Sequence, residues 1–157
     1  MKRILFVVTL AGLLIAGIQS LNAASSLTEA WYSIGSKMKI VRVTLTAHTD
    51  GTFAPVTLSR YIRGTILMAK VYPDTAAGHR PSNGFTLTFA DSLGQDLFGG
   101  SLASLDSFPK AGHRRVPILA DSVSYPNLCN NKPTVTFSGN SQSGARVVLD
   151  VFYRLGD

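Results

Sequence analysis

The side chains able to do chemistry in this chain are few and scattered: His48, His79 and His113, the aspartates Asp91 and Asp96, and one cysteine, Cys129. A metal site needs ligands brought close together, and the usual local device is a pair of histidines or cysteines a few positions apart. None of the three histidines has such a neighbour, so each reads as a solvated side chain in a loop or at a strand end, and no metal is expected. Asp91 and Asp96 bracket Gly94 in D-S-L-G-Q-D, which is too short for a calcium loop and lacks its alternating acids. Aspartates so placed read as turn formers that bond their own backbone. No serine lies in a G-x-S-x-G elbow, and Gly94 with Gly99-Gly100 makes neither a dinucleotide fingerprint nor a phosphate loop with its lysine. Cys129 lies between Tyr125-Pro126 and Asn130-Asn131 with no base beside it. It reads as a half-buried inert thiol, with a reactive or intermolecular thiol as the alternative. These readings predict no catalytic residue, no cofactor and no enzymatic activity.

What remains for recognition is aromatic surface. Trp31, Tyr32, Tyr61 and Tyr72 are the candidate interaction residues, since a ring left exposed can stack on a sugar or pack against a partner.

The elements that must carry these residues show mostly the period of a strand. Pro133 to Arg154 reads as two β-strands paired with each other around the polar loop S-G-N-S-Q-S-G, and in the second Ala145, Val147, Leu149, Val151 and Tyr153 share one face while Arg146, Asp150 and Arg154 share the other. That period of two predicts a paired, half-buried strand. Met38 to Ala47 alternates in the same way and ends at the turn Thr49-Asp50-Gly51-Thr52. A short strand follows at Val56 to Leu58. Tyr61 to Tyr72 is apolar on both faces in its middle, as a centrally placed strand is, and Gly64 within it predicts a bulge or a close backbone approach. Pro73 to Gly84 reads as a loop. Phe85 to Phe89 with Asp96-Leu97-Phe98 reads as a hairpin, Gly99 to Gly112 as a loop with at most one helical turn, Val116 to Leu119 as a short strand, and Asp121 to Lys132 as a second long loop.

Two segments fall outside this pattern. Residues 1–23 have a basic start, an apolar run from Ile4 to Ile18 and a polar end on Ala23, the three parts of a secretory signal peptide. The apolar run is shorter than the roughly 18 to 20 residues that cross a bilayer. Cleavage before Ala24 and an exported protein, periplasmic or extracellular, are the expectation. No integral span would then remain. Residues 24–37 form either a short helix or an N-terminal arm: Ser26-Leu27-Thr28-Glu29 fits a capping box, and Leu27, Trp31 and Ile34 share a helical face before Gly35.

Of the 157 residues, 15 are Lys or Arg and 9 are Asp or Glu, for a formal charge of +6. Lys2 and Arg3 belong to the leader, and the remaining excess is spread thinly along the chain. A nucleic-acid binder concentrates its charge in a stripe with interleaved aromatics, so no nucleic-acid partner is expected. One cysteine permits no intramolecular disulfide.

The succession KIVRVTLTAHTDGTF (39–53), YIRGTILMAKVYP (61–73), FTLTFADSLGQDLFGG (85–100), VPIL (116–119), YPNLCNNKPTVTFSGN (125–140) and ARVVLDVFYR (145–154) resembles small β-rich proteins encoded among phage and prophage structural genes. Those proteins combine a strand ending T-x-D-G-x, an I-R-G-x-I strand, a T-D-x-x-G-x-D-L hairpin and a closing P-x-T-V-x-x-S-G with a V-x-x-Y-x-R strand. The resemblance implies a virion-associated β-sandwich, and virion location if the true start lies downstream of the leader. Together the observations predict an all-β chain: one antiparallel β-sandwich, jelly-roll or immunoglobulin-like, of about seven to eight strands over residues 38–157. Its expected role is that of a structural or interaction module in a homo-oligomer or larger protein assembly, with a secreted domain binding carbohydrate or the cell envelope as the alternative.

Overall fold

The computed structural model describes residues 24–108, 112–118 and 127–156, and residues 1–23, the expected leader, lie outside them. The described chain is all-β, an antiparallel sandwich of nine strands, one or two more than the sequence pattern predicts. In order they are β1 (Ser26–Ile34), β2 (Met38–Thr46), β3 (Val56–Thr57), β4 (Ile62–Pro73), β5 (Thr86–Ala90), β6 (His113–Arg115), β7 (Asn127–Asn131), β8 (Thr134–Ser138) and β9 (Arg146–Leu155). The larger sheet runs β1-β2-β9-β4-β6, with β7 also on β4, and the smaller runs β3-β8-β5.

Alternation builds the core. Val41, Val43 and Leu45 of β2, Ile66, Ala69 and Val71 of β4, and Val147, Leu149 and Val151 of β9 point inward and are buried, opposite Leu87, Phe89, Val135 and Phe137 of the smaller sheet. The smaller sheet is narrow, and loop residues complete its layer. Leu87 and Leu105 N–H donate to the carbonyls of Leu102 and Phe85, which lays residues 102–105 along the edge of β5 and buries Leu102 and Leu105. This is where the near-helical spacing of Leu102, Leu105 and Phe108 leads, since the segment makes turns and no helix; Phe108 is exposed. The hairpin after β5 closes by an isolated Ala90–Asp96 bridge.

Gly64 is a close-approach glycine. Its φ is +150°, and a Cβ there would lie 1.9 Å from the carbonyl oxygen of Arg154 on β9, so only a residue without a side chain lets β9 and β4 approach. The bulge of β4 comes two residues later, between Ile66 and Met68.

Five expectations need correction. Residues 24–37 hold neither a helix nor an arm. β1 pairs with β2 along all nine residues, from Ser26–Thr46 to Ile34–Met38, because a neighbouring strand satisfies its backbone and a short isolated helix would not bury it. The two strands of 133–154 are not paired with each other. β8 joins β3 and β5, while β9 crosses to the other layer and inserts between β2 and β4, so their inner faces pack across the core. The short strand expected at Val116 to Leu119 lies one step earlier, at His113–Arg115; Leu119 is outside the described residues. The loop expected over 121–132 contains β7, which pairs with β4 and whose inward Cys129 is buried; residues 121–126 are outside the described set. Cys129, expected half-buried, is 1% exposed.

Candidate interaction face

The outer faces of the two sheets differ in chemistry. On the smaller sheet the outward residues are Thr57, Thr86, Thr88, Ala90, Thr134, Thr136 and Ser138, an uncharged surface rich in hydroxyls. On the larger sheet the register brings cations and apolar side chains together. One cross-strand row is Ala30, Arg42, Asp150, Lys70 and Arg114; the next is Tyr32, Ile40, Phe152 and Met68. A third runs Thr28, Thr44, Val148 and Tyr72, and a fourth Ile34, Met38, Arg154, Thr65 and Leu128. With strands about 4.8 Å apart, this face is on the order of 20 Å across.

Its centre is an ion pair. Arg42 donates from Nε and Nη2 to the two carboxylate oxygens of Asp150, both at 2.7 Å. Asp150 is nearly closed off, its side chain 5% exposed, whereas that of Arg42 is 47% exposed. The bond to Asp150 holds the guanidinium's pKa well above its ordinary value, against a smaller opposing effect of burial. Arg42 also lies 5.9 Å from the ring centroid of Tyr32, and Lys70 lies 6.0 Å from that of Phe152, so cations sit over two of the face's aromatics. Counting Arg42, Arg63, Lys70, Arg114, Arg146 and Arg154, the outward register positions carry six cations against the single, already paired carboxylate of Asp150.

Much apolar surface stays in water. Tyr32 is 48% exposed, Ile34 52% and Leu128 74%, and Met38 and Tyr72 are exposed as well. An apolar patch interleaved with cations that, Arg42 apart, have no ion-pair partner among the described residues is a surface that a partner would desolvate favourably.

Three of the four aromatic candidates lie on this side. Tyr32 and Tyr72 are within it, and Tyr61, 54% exposed, lies at the other end of β4, with Arg63 and Lys132 each 5.5 Å from its ring. From Tyr61 to Tyr72 the strand spans roughly 35 Å. Trp31 lies on the inner side, half-buried: it packs against the core, donates its indole N–H to Glu29 at 3.1 Å and lies under Arg60, 5.8 Å from the ring. Glu29 in turn accepts from the Ser59 amide and hydroxyl at 2.8 and 2.6 Å, which fastens β1 to the chain ahead of β4. Trp31 is therefore a structural residue of the sheet edge. The apolar partners Ile40, Met68, Val148 and Phe152 carry a readable signal, for they are apolar at outward positions of strands whose inward positions are already filled.

The titratable residues are spent locally. His48 Nδ1 lies 3.0 Å from Asp50, inside its own turn. Bonds from the Thr52 hydroxyl and amide, with a smaller effect of His48, bring the Asp50 pKa down to about 2. His79 Nδ1 lies 3.1 Å from Gly144 O, and His113 Nε2 lies 2.6 Å from Asp106 O. Asp91 accepts from the amides of Leu93 and Gln95, and Asp96 from those of Phe98 and Gly100, as turn formers do. Burial pushes the Cys129 thiol up, away from the thiolate that nucleophilic chemistry needs. Among the described residues no three His, Cys, Asp or Glu come together in a way that could hold a metal ion. No described helix is long and apolar enough to cross a membrane.

Comparison with protein-family models, with curated proteins and with solved structures gives no match.

Proposed function

We propose that this chain is a non-enzymatic interaction module that docks through the outer face of its larger sheet onto an acidic protein surface, within an assembly of the virion-associated kind that its strand motifs resemble. One observation carries the reading: six cations and at least five exposed apolar side chains share a single sheet face with one neutralised carboxylate, while the other sheet presents hydroxyls. Like-charged copies repel face to face, so this face fits an acidic partner better than a second copy. Self-association has a separate route, because the outer edge of β1 has no strand partner among the described residues. Cleavage before Ala24 and export belong to the same proposal, and an intact Met1 on the mature protein would remove that part of it.

A second reading, an exported domain binding carbohydrate or the cell envelope, is favoured by the exposure of Tyr32, Tyr61 and Tyr72 beside cations. Tyrosine faces stack on sugar rings, and the cations would meet acidic substituents. The scatter of cations along the sequence sets nucleic acid aside, but the fold removes that ground by gathering them with aromatics on one face, so an oligonucleotide belongs in the test.

The test is co-sedimentation of the protein with purified virions, with an envelope fraction, and with a single-stranded oligonucleotide. The double variant Lys70→Glu/Arg114→Glu should weaken the bound arm on the order of tenfold or more, whereas Thr88→Glu/Thr136→Glu on the opposite face should leave it unchanged. Binding only to envelope transfers the conclusion to the second reading, and binding only to the oligonucleotide to nucleic acid. Equal losses from both double variants would reject the face altogether.

A further inference from the structure

At the end of the sandwich where β4 leads out and β9 begins, the loops 74–84, 106–108 and 139–145 border an open cleft of about 450 Å³ lined in part by Gly78, Arg80, Ser82, Ser107 and Gln142. Its walls are held before any ligand arrives. The Ser82 amide donates to Asn140 Oδ1 at 2.9 Å, and Asn140 Nδ2 donates to the carbonyls of Gly51 and Gln142, both at 2.9 Å. The Ser107 amide donates to Asn83 Oδ1 at 3.2 Å, and the Arg146 amide to the carbonyl of His79 at 2.7 Å. Three loops are thus tied to one another and to β9.

Among the described residues Arg80 is the only cation lining this cleft, and they leave it underbonded. Its guanidinium carbon lies 3.6 Å from the ring centroid of Phe108, so the planar group is fixed by stacking. Among the described residues its Nε–H is buried without an acceptor, and the one hydrogen bond from its fork, Nη2 to Thr75 O, is long at 3.4 Å. The acids of the same loops are occupied elsewhere: Asp74 accepts from the Ala76 amide and Asp106 from the Phe108 amide, each at 2.9 Å. A guanidinium has five donors in a rigid fork that matches the two oxygens of a carboxylate or phosphate. Preorganised walls, a fixed fork and neighbouring hydroxyl and amide groups are what a small-anion site requires.

We propose that this cleft binds a small oxyanion, a carboxylate or a phosphate monoester, with Arg80 as its anchor and Ser82, Ser107 and Gln142 as the polar groups that orient it. The site is independent of the sheet face and of what that face docks on. The full chain, labelled with ¹⁵N, is titrated with acetate and separately with inorganic phosphate, which distinguishes the two sources of the anion. The expected result is saturable movement of the Gly78, Ser82, Ser107 and Gln142 amides and of the Arg80 Nε–Hε signal with at least one of them, weakened on the order of tenfold in Arg80→Gln. Gln142→Glu, which brings a carboxylate of the protein's own into the cleft, should abolish binding and raise the melting temperature, and it keeps the test decisive should Arg80→Gln fail to fold. Unsaturable shifts, shifts shared equally with the amides around Lys70 and Arg114, or unchanged affinity in either folded variant would overturn the assignment.

Discussion

Removing Arg42 should cost more than removing Asp150, although the two share the same pair of hydrogen bonds. The asymmetry comes from burial, since the Asp150 side chain is 5% exposed and that of Arg42 is 47% exposed. Arg42→Ala strands a carboxylate in the middle of a sheet, and breaking a buried pair so that one charge is left behind costs about 3 to 5 kcal/mol. Lys70 stands directly across from Asp150 on β4 and supplies partial compensation, which brings the expectation to about 2 to 4 kcal/mol. Asp150→Ala leaves a guanidinium already half in water, free to turn outward. Its loss is confined to two charge-assisted bonds discounted for solvent screening, about 1 to 2 kcal/mol. The double variant should resemble Asp150→Ala, because once the carboxylate is gone Arg42 has little left to stabilise. Urea unfolding of the three variants measures the cycle, and for a domain of this size each kcal/mol should move the melting temperature by about 4 °C. If Asp150→Ala is as costly as Arg42→Ala, the burial argument is wrong and the pair is an ordinary surface bridge.

Other perturbations follow from the same coordinates. Leu149→Ala, at a fully buried position between Val43 and Val71, should cost about 2 to 5 kcal/mol, against under about 1 for the exposed Arg146→Ala three residues earlier; equal losses in chemical denaturation would contradict the register. Gly64→Ala should cost more than about 3 kcal/mol or prevent folding, since its Cβ meets a backbone carbonyl, whereas Gly78→Ala, with open space and a φ of +86°, should cost about 1 in the same assay. The stabilisation from Asp50, whose pKa is depressed in the folded protein, is fully present above the ordinary carboxylate range and lost as pH falls through about 2. Asp50→Asn should therefore lower the melting temperature at pH 6 and lower it progressively less as the pH falls toward 2.

The fold was legible wherever one side of a strand was apolar and the other was not. β2 and β9 announce themselves by alternation, β4 by a middle that is apolar on both faces, and Gly64 announces the close approach, because these signals are local. β1 was not legible, for Glu29 occupies an inward position where an apolar residue would have revealed the period of two. Its carboxylate serves Ser59 and Trp31 across the sheet edge, and the S-x-x-E spacing then imitates a helix start. β7, Asn-Leu-Cys-Asn-Asn, offers only Cys129 to the core and has no pattern to read. The separation of β8 and β9 into different layers was hidden for another reason: a Gly- and Ser-rich connection of this length suits a hairpin or a crossing equally, and the choice is made by β2 and β4, more than 70 residues upstream. For the candidate face, the tyrosines were visible in the sequence, but the pairing of Arg42 with Asp150 across 108 residues was not.

The position of β9 also fixes the order in which the larger sheet can be completed. β9 is the last of the described strands and the only one bonded to both β2 and β4, so while a chain is still emerging from its N-terminal end, the β1–β2 hairpin and β4 have no strand between them. Each exposes an unpaired edge and a stripe of Val, Ile and Leu until Arg146–Leu155 appears. Closure then spans most of the domain, a topology associated with folding in milliseconds to seconds rather than microseconds. Until Arg146–Leu155 emerges the β1–β2 hairpin and β4 are open to premature edge-to-edge pairing, and β9 is the strand whose arrival ends that exposure.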